Sequence, residues 1–178
     1  MLMVGTHEIA RVVNAYVHRR PGESLALAPL WQTLQQHAKT GTCAHRGSCP
    51  VVKVSPVVVD EHHRVLTLES VRGRLRLPEA GVPAGFDTLP ELAINLARAL
   101  GAWEVWVQPG CEDPIHLEPA RADPEDGLRT RVAIRYLYRT HSETCRFAPG
   151  APQRWTPLSE MDHTLADRVG TFLAEEVA

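Results

Sequence analysis

Three groups of side chains in this chain have types and spacings that can do chemistry. Cys43, His45 and Cys49 fall within the run Cys43-Ala44-His45-Arg46-Gly47-Ser48-Cys49, and thiolates with imidazole are the donors zinc accepts, four of them in a structural site. This spacing supplies three, and a fourth from Cys111, His116, His141 or Cys145 depends on the fold bringing one of them near. It matches no standard zinc motif, and an ordinary loop is the competing reading. Arg129, Arg131, Arg135 and Arg139 share one parity, while Val132, Ile134, Tyr136 and Tyr138 share the other. A strand here has a basic face and an apolar face, and the basic face either cradles a phosphorylated or acidic ligand or is a solvated surface whose long stems cover the sheet. Glu91, Asn95 and Arg98 stand at i, i+4 and i+7 and share one side of a helix. His62-His63 reads as an exposed pair in a turn, and Cys111 has no adjacent His or Lys to favour its thiolate.

The elements that must position these groups follow from periodicity. Ile9, Val12, Val13, Tyr16 and Val17 predict a helix over residues 7–20 that stops at Arg20-Pro21-Gly22, and Leu25 to Ala38 predicts a second, so the chain opens with a helical hairpin. Lys39 to Cys49 lacks periodicity and reads as a loop. Val51 to Val59, interrupted at Pro56, and Val65 to Leu68 flank a polar stretch and predict a hairpin with an exposed turn. Thr88 is placed to cap a helix, with Pro90 in its first turn and Gly101 just past its end. Leu89, Leu92, Ala93, Leu96 and Leu100 give that helix one buried stripe. Strands are expected at Trp103–Val107, Ile115–Glu118, Arg131–Arg139 and Arg154–Thr156, and a last helix from Leu158 to Val177. Trp103 and Trp106 fall on opposite faces of their strand, one for a pocket and one for the core or a homodimer contact.

Composition narrows the class. The chain has 178 residues, 44% of them apolar, enough for a sizeable core, and 19 Lys and Arg against 21 Asp and Glu leave a net charge of −2. A nucleic-acid binder normally carries a basic excess, so no nucleic-acid partner is expected. No apolar run approaches the about 20 residues of a membrane span, and no signal peptide is read at the start. Four scattered cysteines argue against a disulfide framework and for a reducing cytoplasm.

The run Leu77-Pro78-Glu79-Ala80-Gly81-Val82-Pro83-Ala84-Gly85-Phe86-Asp87-Thr88, followed by the helix from Leu89 to Gly101, resembles the Nudix box of Nudix hydrolases. In that box a Leu-Pro-Gly-Gly loop leads to a helix bearing Arg-Glu-x-x-Glu-Glu and ending in Gly. The Val-rich strand before it, Arg135-Tyr136-Leu137-Tyr138 after it, and Trp155-Thr156-Pro157-Leu158 before the last helix stand in the order the family has. The resemblance covers residues 49–178. It implies an α/β fold, a Nudix-type α/β/α sandwich with a mixed sheet, preceded by the helical hairpin and loop of residues 1–48.

The same resemblance exposes a departure. In the family the helix glutamates hold Mg²⁺ or Mn²⁺ against a diphosphate. Here the Arg-Glu pair is Ile94-Asn95, the following Glu-Glu pair is Arg98-Ala99, and the glutamate near the loop's end is Phe86. Leu77, Pro78, Gly85, Leu96 and Gly101, which a fold needs, are kept. The replacements turn a net-negative ligand set net-positive, so Mg²⁺ or Mn²⁺ is not expected on this helix and metal-dependent diphosphatase activity is expected to be weak or absent. Three readings stay open. The first is a divergent Nudix-fold protein that binds or transforms a small anionic metabolite, with Asn95, Arg98 and Arg135 as ligand-binding residues and Glu79 and Glu91 as candidate acid–base groups. The second is a hydrolase of a nucleoside diphosphate derivative whose displaced acids Glu79, Asp87 and Glu91 gather the ion. The third is a non-enzymatic binding module stabilised by zinc through Cys43, His45 and Cys49.

Overall fold

A computed structural model of the chain describes residues 4–40, 49–83, 88–120 and 129–174. Helix α1 (Val4–Arg19) and helix α2 (Ser24–Thr40) form the opening hairpin, joined by a helical turn at Pro21–Glu23. The strands that follow are β1 (Val51–Val59), β2 (Arg64–Glu69), and the two-residue β3 (Leu75–Arg76) and β4 (Ala80–Gly81). Helix α3 (Leu89–Ala99) then leads to β5 (Val105–Val107), β6 (His116–Ala120), β7 (Arg131–Thr140), β8 (Gln153–Pro157) and helix α4 (His163–Ala174).

One sheet contains all eight described strands, with β3, β2, β1, β7 and β5 in spatial order, β4 beside β1, β6 beside β7 and β8 beside β2. Its centre is the parallel pair β1 and β7, in register from Val51 opposite Arg131 to Val59 opposite Arg139, and the other pairings are antiparallel. The sheet is therefore mixed. Pleating sends alternate residues of the central strands to opposite sides. Val54, Val58, Val132, Ile134, Tyr136 and Tyr138 join Val12, Val13, Tyr16, Leu27, Leu30 and Leu34 of the hairpin and Leu89, Leu92, Ala93 and Ala97 of α3 in one core. Val57, Val59, Val65 and Leu137 meet Leu165, Val169 and Leu173 of α4 in a second core on the other face. Hairpin and α3 make one layer, the sheet the next, and α4 the third.

Local chemistry explains where elements begin, bend and end. Thr88, extended at φ −139°, accepts the Glu91 amide at 3.3 Å and caps α3 as its side chain predicts. Gly101 closes the helix at φ 99°, and a Cβ there would lie 2.2 Å from the Arg146 carbonyl oxygen. Leu96 and Leu100 are only half-buried, and Ala97 takes the core position instead. Pro56 does not interrupt β1. The Val51 amide donates to the Thr130 carbonyl at 2.8 Å, which turns the odd-numbered amides toward β7 and leaves position 56 facing the side where neither β4 nor β2 is in register with it. A residue without an N–H removes no ladder bond there.

The turn after β1 differs from the exposed loop expected. Glu61, His62 and His63 are exposed, but Asp60 is fully buried. Its Oδ1 accepts the amides of His62 and Arg64 at 3.0 and 2.8 Å, and its Oδ2 accepts Arg64 Nε at 2.8 Å. A carboxylate that accepts from two residues of its own turn is satisfied locally, so burial is tolerable. Trp103 and Trp106 are 60% and 40% exposed, Trp103 lies outside β5, and neither belongs to either core. Trp106 instead packs against the His141 ring, with centroids 5.0 Å apart. No helix among the described residues is long and apolar enough to cross a membrane.

Candidate functional site

On the α4 face, at the starts of β1 and β7, lies a cleft of about 510 Å³ lined among others by Lys53, Leu77, Glu79, Arg131, Arg135 and Met161. The parity of β7 decides its floor. Arg131, Arg135 and Arg139 share the face of Leu137, which packs under α4, so the stripe is not the solvated outer surface that its charge suggests. Arg135 and Arg139 are 5% and 8% exposed. α4 covers that face, and a buried guanidinium is tolerable only where acceptors surround it.

Arg135 has such acceptors. Its Nε donates to Glu118 Oε2 at 2.8 Å, Nη1 donates to Ser55 Oγ at 2.9 Å, and Nη2 reaches Glu118 Oε2 and, at 3.4 Å, Glu79 Oε1. Register places all three partners. Ser55 lies opposite Arg135 in the parallel pair, β6 runs antiparallel to β7 with His116 opposite Arg135 and Glu118 opposite Ala133, and β4 pairs with Lys53 and Val54 so that Glu79 arrives beside them. Glu79 also accepts from Arg131 Nη1 at 3.0 Å. Its carboxylate thus bridges two guanidiniums. Arg131 Nε is buried with no hydrogen-bond partner among the described residues, and Arg131 is one of the residues that line the cleft.

The sequence-predicted residues divide into two sets. Glu79 and Arg135 meet in the cleft. Glu91, Asn95 and Arg98 lie on the exposed side of α3, are not among the residues lining the cleft, and make no side-chain hydrogen bond or ion pair with another described residue. Glu118, Ser55 and Lys53 were not singled out by spacing. Glu118 was findable only through the register of β6 on β7, since its sequence neighbours carry no motif.

A hard divalent ion wants several carboxylate or carbonyl oxygens, and the exposed side of α3 offers one carboxylate, one amide and one guanidinium. Among the described residues no group of three or more His, Cys, Asp or Glu side chains converges to hold an ion. This donor set does not fit Mg²⁺ or Mn²⁺. For zinc, Cys43 and His45 lie outside the described residues. Cys49 is disulfide-bonded, against the expectation of reduced cysteines, and its sulfur stands 3.6 Å from His37 Nε2. The suggested fourth ligands are dispersed: Cys111 is buried in the α4-side core, Cys145 contacts Thr140, and His141 packs on Trp106.

Beside the cleft is a second polar cluster that ties the hairpin to the sheet. Tyr16 Oη donates to Glu23 Oε2 at 2.7 Å and lies 3.3 Å from His116 Nδ1. Arg168 of α4 donates to Tyr16 Oη, to the Ile115 carbonyl at 3.0 Å and to Glu23 Oε1 at 2.5 Å. Burial, reinforced by the Arg168 charge, lowers the His116 pKa to about 4, so the ring is neutral near pH 7.

The architecture is that of Nudix hydrolases. An Ap4A hydrolase from C. elegans superposes with a TM-score of 0.53 at 13% identity, covering 70% of this chain and 98% of the other. A Nudix-family hydrolase from Clostridium perfringens gives 0.50 at 15% identity, covering 70% and 97%. No protein-family model matches the sequence, and no curated protein matches it. At such identities the likeness is one of fold, and the Nudix α/β/α sandwich is the class this chain falls in.

Proposed function

We propose that this chain is a divergent Nudix-fold protein that binds a small anionic metabolite, bearing phosphate or carboxylate, directly on arginine side chains and without a divalent ion between. The observation that carries the reading is Arg131, whose buried Nε–H has no acceptor among the described residues while its Nη1 shares Glu79 with Arg135. A buried charged donor left unpaired is costly, and an anion in the cleft supplies the missing acceptor. Guanidiniums suit oxyanions because their planar N–H groups match two oxygens at once. Phosphate is the first anion to test, since the C. elegans structure of this fold is an Ap4A hydrolase.

In this reading Glu79 is the resident counterion of the two guanidiniums. Each of its oxygens already accepts from an arginine, so taking a proton from water requires one contact to open, and an incoming oxyanion competes for the same donors. Thermal unfolding in inorganic pyrophosphate tests the assignment. Wild type gains melting temperature, Arg131→Ala loses most of the gain, and Arg98→Ala on α3 keeps it. Glu79→Gln removes the competing charge and strengthens pyrophosphate binding severalfold. Equal loss in Arg98→Ala and Arg131→Ala, or no gain in wild type, overturns the cleft as the anion site.

A further inference from the structure

The cluster of Tyr16, Glu23, His116 and Arg168 borders a cavity of about 380 Å³ whose lining includes Glu23, Ala26, His116, Glu118, Asp162 and Arg168. Glu118 and Asp162 line the arginine cleft as well, so the two spaces adjoin across these side chains. Glu118 is the partly exposed member of the partition: its carboxylate is held by Arg135, and its side chain is 42% exposed.

Hydrogen-bond accounting gives the cavity its chemistry. Tyr16 has one hydroxyl proton, and Glu23, the nearest acceptor, takes it at 2.7 Å. Its oxygen is therefore an acceptor toward Arg168 and toward His116 Nδ1. His116 Nδ1 must then carry the ring proton, and neutral imidazole has only one, which leaves a lone pair on Nε2. Asp162 Oδ1 accepts the amides of Thr164 and Leu165 at 3.0 and 3.4 Å, and its second oxygen remains available. Arg168, the cation of this wall, is engaged by Tyr16, Ile115 and Glu23. The side chains of Glu23, Glu118, Asp162 and His116 thus line the cavity together with one guanidinium, that of Arg168, which is already engaged. The cleft next door adds the guanidiniums of Arg131 and Arg135 to carboxylates of its own, among them the shared Glu118 and Asp162.

We infer that this cavity is a second chamber of the cleft, which receives the amino-bearing end of a ligand whose anionic end rests on Arg131 and Arg135, with Glu118 at the junction. The inference rests on the anion reading above and adds a ligand class to it, small amines carrying a phosphate or carboxylate at the far end. It also makes the helical hairpin part of the binding site, through Glu23 and Ala26.

The test uses ω-aminoalkyl phosphates of graded chain length, each paired with the alkyl phosphate of the same length, titrated calorimetrically into the full chain. At the length that spans the two chambers, the amine tightens binding by about tenfold over its alkyl partner, the order of one charge-assisted hydrogen bond. His116→Gln and Glu23→Gln remove that increment and leave the alkyl phosphate affinity unchanged. Ala26→Phe, at an exposed position on the chamber wall, fills the space while leaving Tyr16, Glu23, His116 and Arg168 unsubstituted and removes the increment in the same way, which covers the case that the first two variants fold poorly. Alkyl phosphates that bind while no amine of any length adds affinity overturn the second chamber and leave the anion site standing. If alkyl phosphates fail to bind, the anion site falls, and the chamber is then judged on alkylamines alone by the His116 ring resonances: a shift lost in Ala26→Phe supports it, and no shift overturns it.

Discussion

His116 and Arg135 sit opposite each other across β6 and β7 and carry opposite lessons. Arg135 was recognisable from the alternation Arg131, Arg135, Arg139, because a period of two is what a strand face leaves in sequence. His116 had no such signature. Its properties come from burial and the Arg168 charge, and its contact from Tyr16, a hundred residues away. Burial lowers its pKa from the ordinary value of 6.5 to about 4, so the unfolded chain takes up a proton as pH falls through 6.5 while the folded chain does not until about 4. The unfolded state binds more protons in that window, and stability rises with pH across it. Urea midpoints measured from pH 7 to pH 4 are expected to fall, and the fall to be smaller in His116→Gln. A slope unchanged by that substitution means that His116 is not the group responsible. Glu61 works in the acid range by the same rule with a different cause: the Ser142 hydroxyl and amide hold its carboxyl down to about 2. Its contribution is present above the ordinary 4.5 and is lost as pH falls toward 2.

Helices and strand ends were legible wherever a single residue type dictates a backbone state. Thr88 and Gly101 bracket α3 because a hydroxyl satisfies an orphan amide and because the closing residue needs a positive φ. Gly101→Ala is expected to destabilise the fold by roughly 1–3 kcal/mol from the backbone conformation alone, and by more because its Cβ meets the Arg146 carbonyl. Denaturant unfolding measures this, and a loss below about 1 kcal/mol contradicts the steric account. Asp60 gave no such warning. Asp60-Glu61-His62-His63-Arg64 reads as a solvated turn, yet Asp60 fastens it from inside. Asp60→Ala leaves the His62 and Arg64 amides and the Arg64 guanidinium without their acceptor, a loss of about 2–3 kcal/mol, whereas His62→Ala in the same turn is expected to be neutral. Pro56 taught the reverse: a residue that reads as a break is harmless where no neighbouring strand asks for its amide.

At the scale of the whole molecule the hairpin is the informative part. Val12, Val13, Leu27, Leu30 and Leu34 are buried in the same core as β1, β7 and α3. Each is worth roughly 1.5–3 kcal/mol, together comparable with the about 5–15 kcal/mol that a domain has in total. Residues 49–178 expressed alone are therefore expected to lose cooperative thermal unfolding and near-ultraviolet circular dichroism. A fragment that melts like the full chain shows the hairpin to be an appendage. The Nudix-type sandwich and the order of its elements could be read along the chain, because periodicity and capping are local properties. Which face of the sheet carries the cleft could not. The polar stripe on α3 and the arginine stripe on β7 look equally eligible as sequence, and they fall on opposite sides of the sheet: one toward open solvent, the other under α4 beside carboxylates from β6 and from the segment before β4. Burial and long-range register made that choice, and both arise only when separate parts of the chain are brought together.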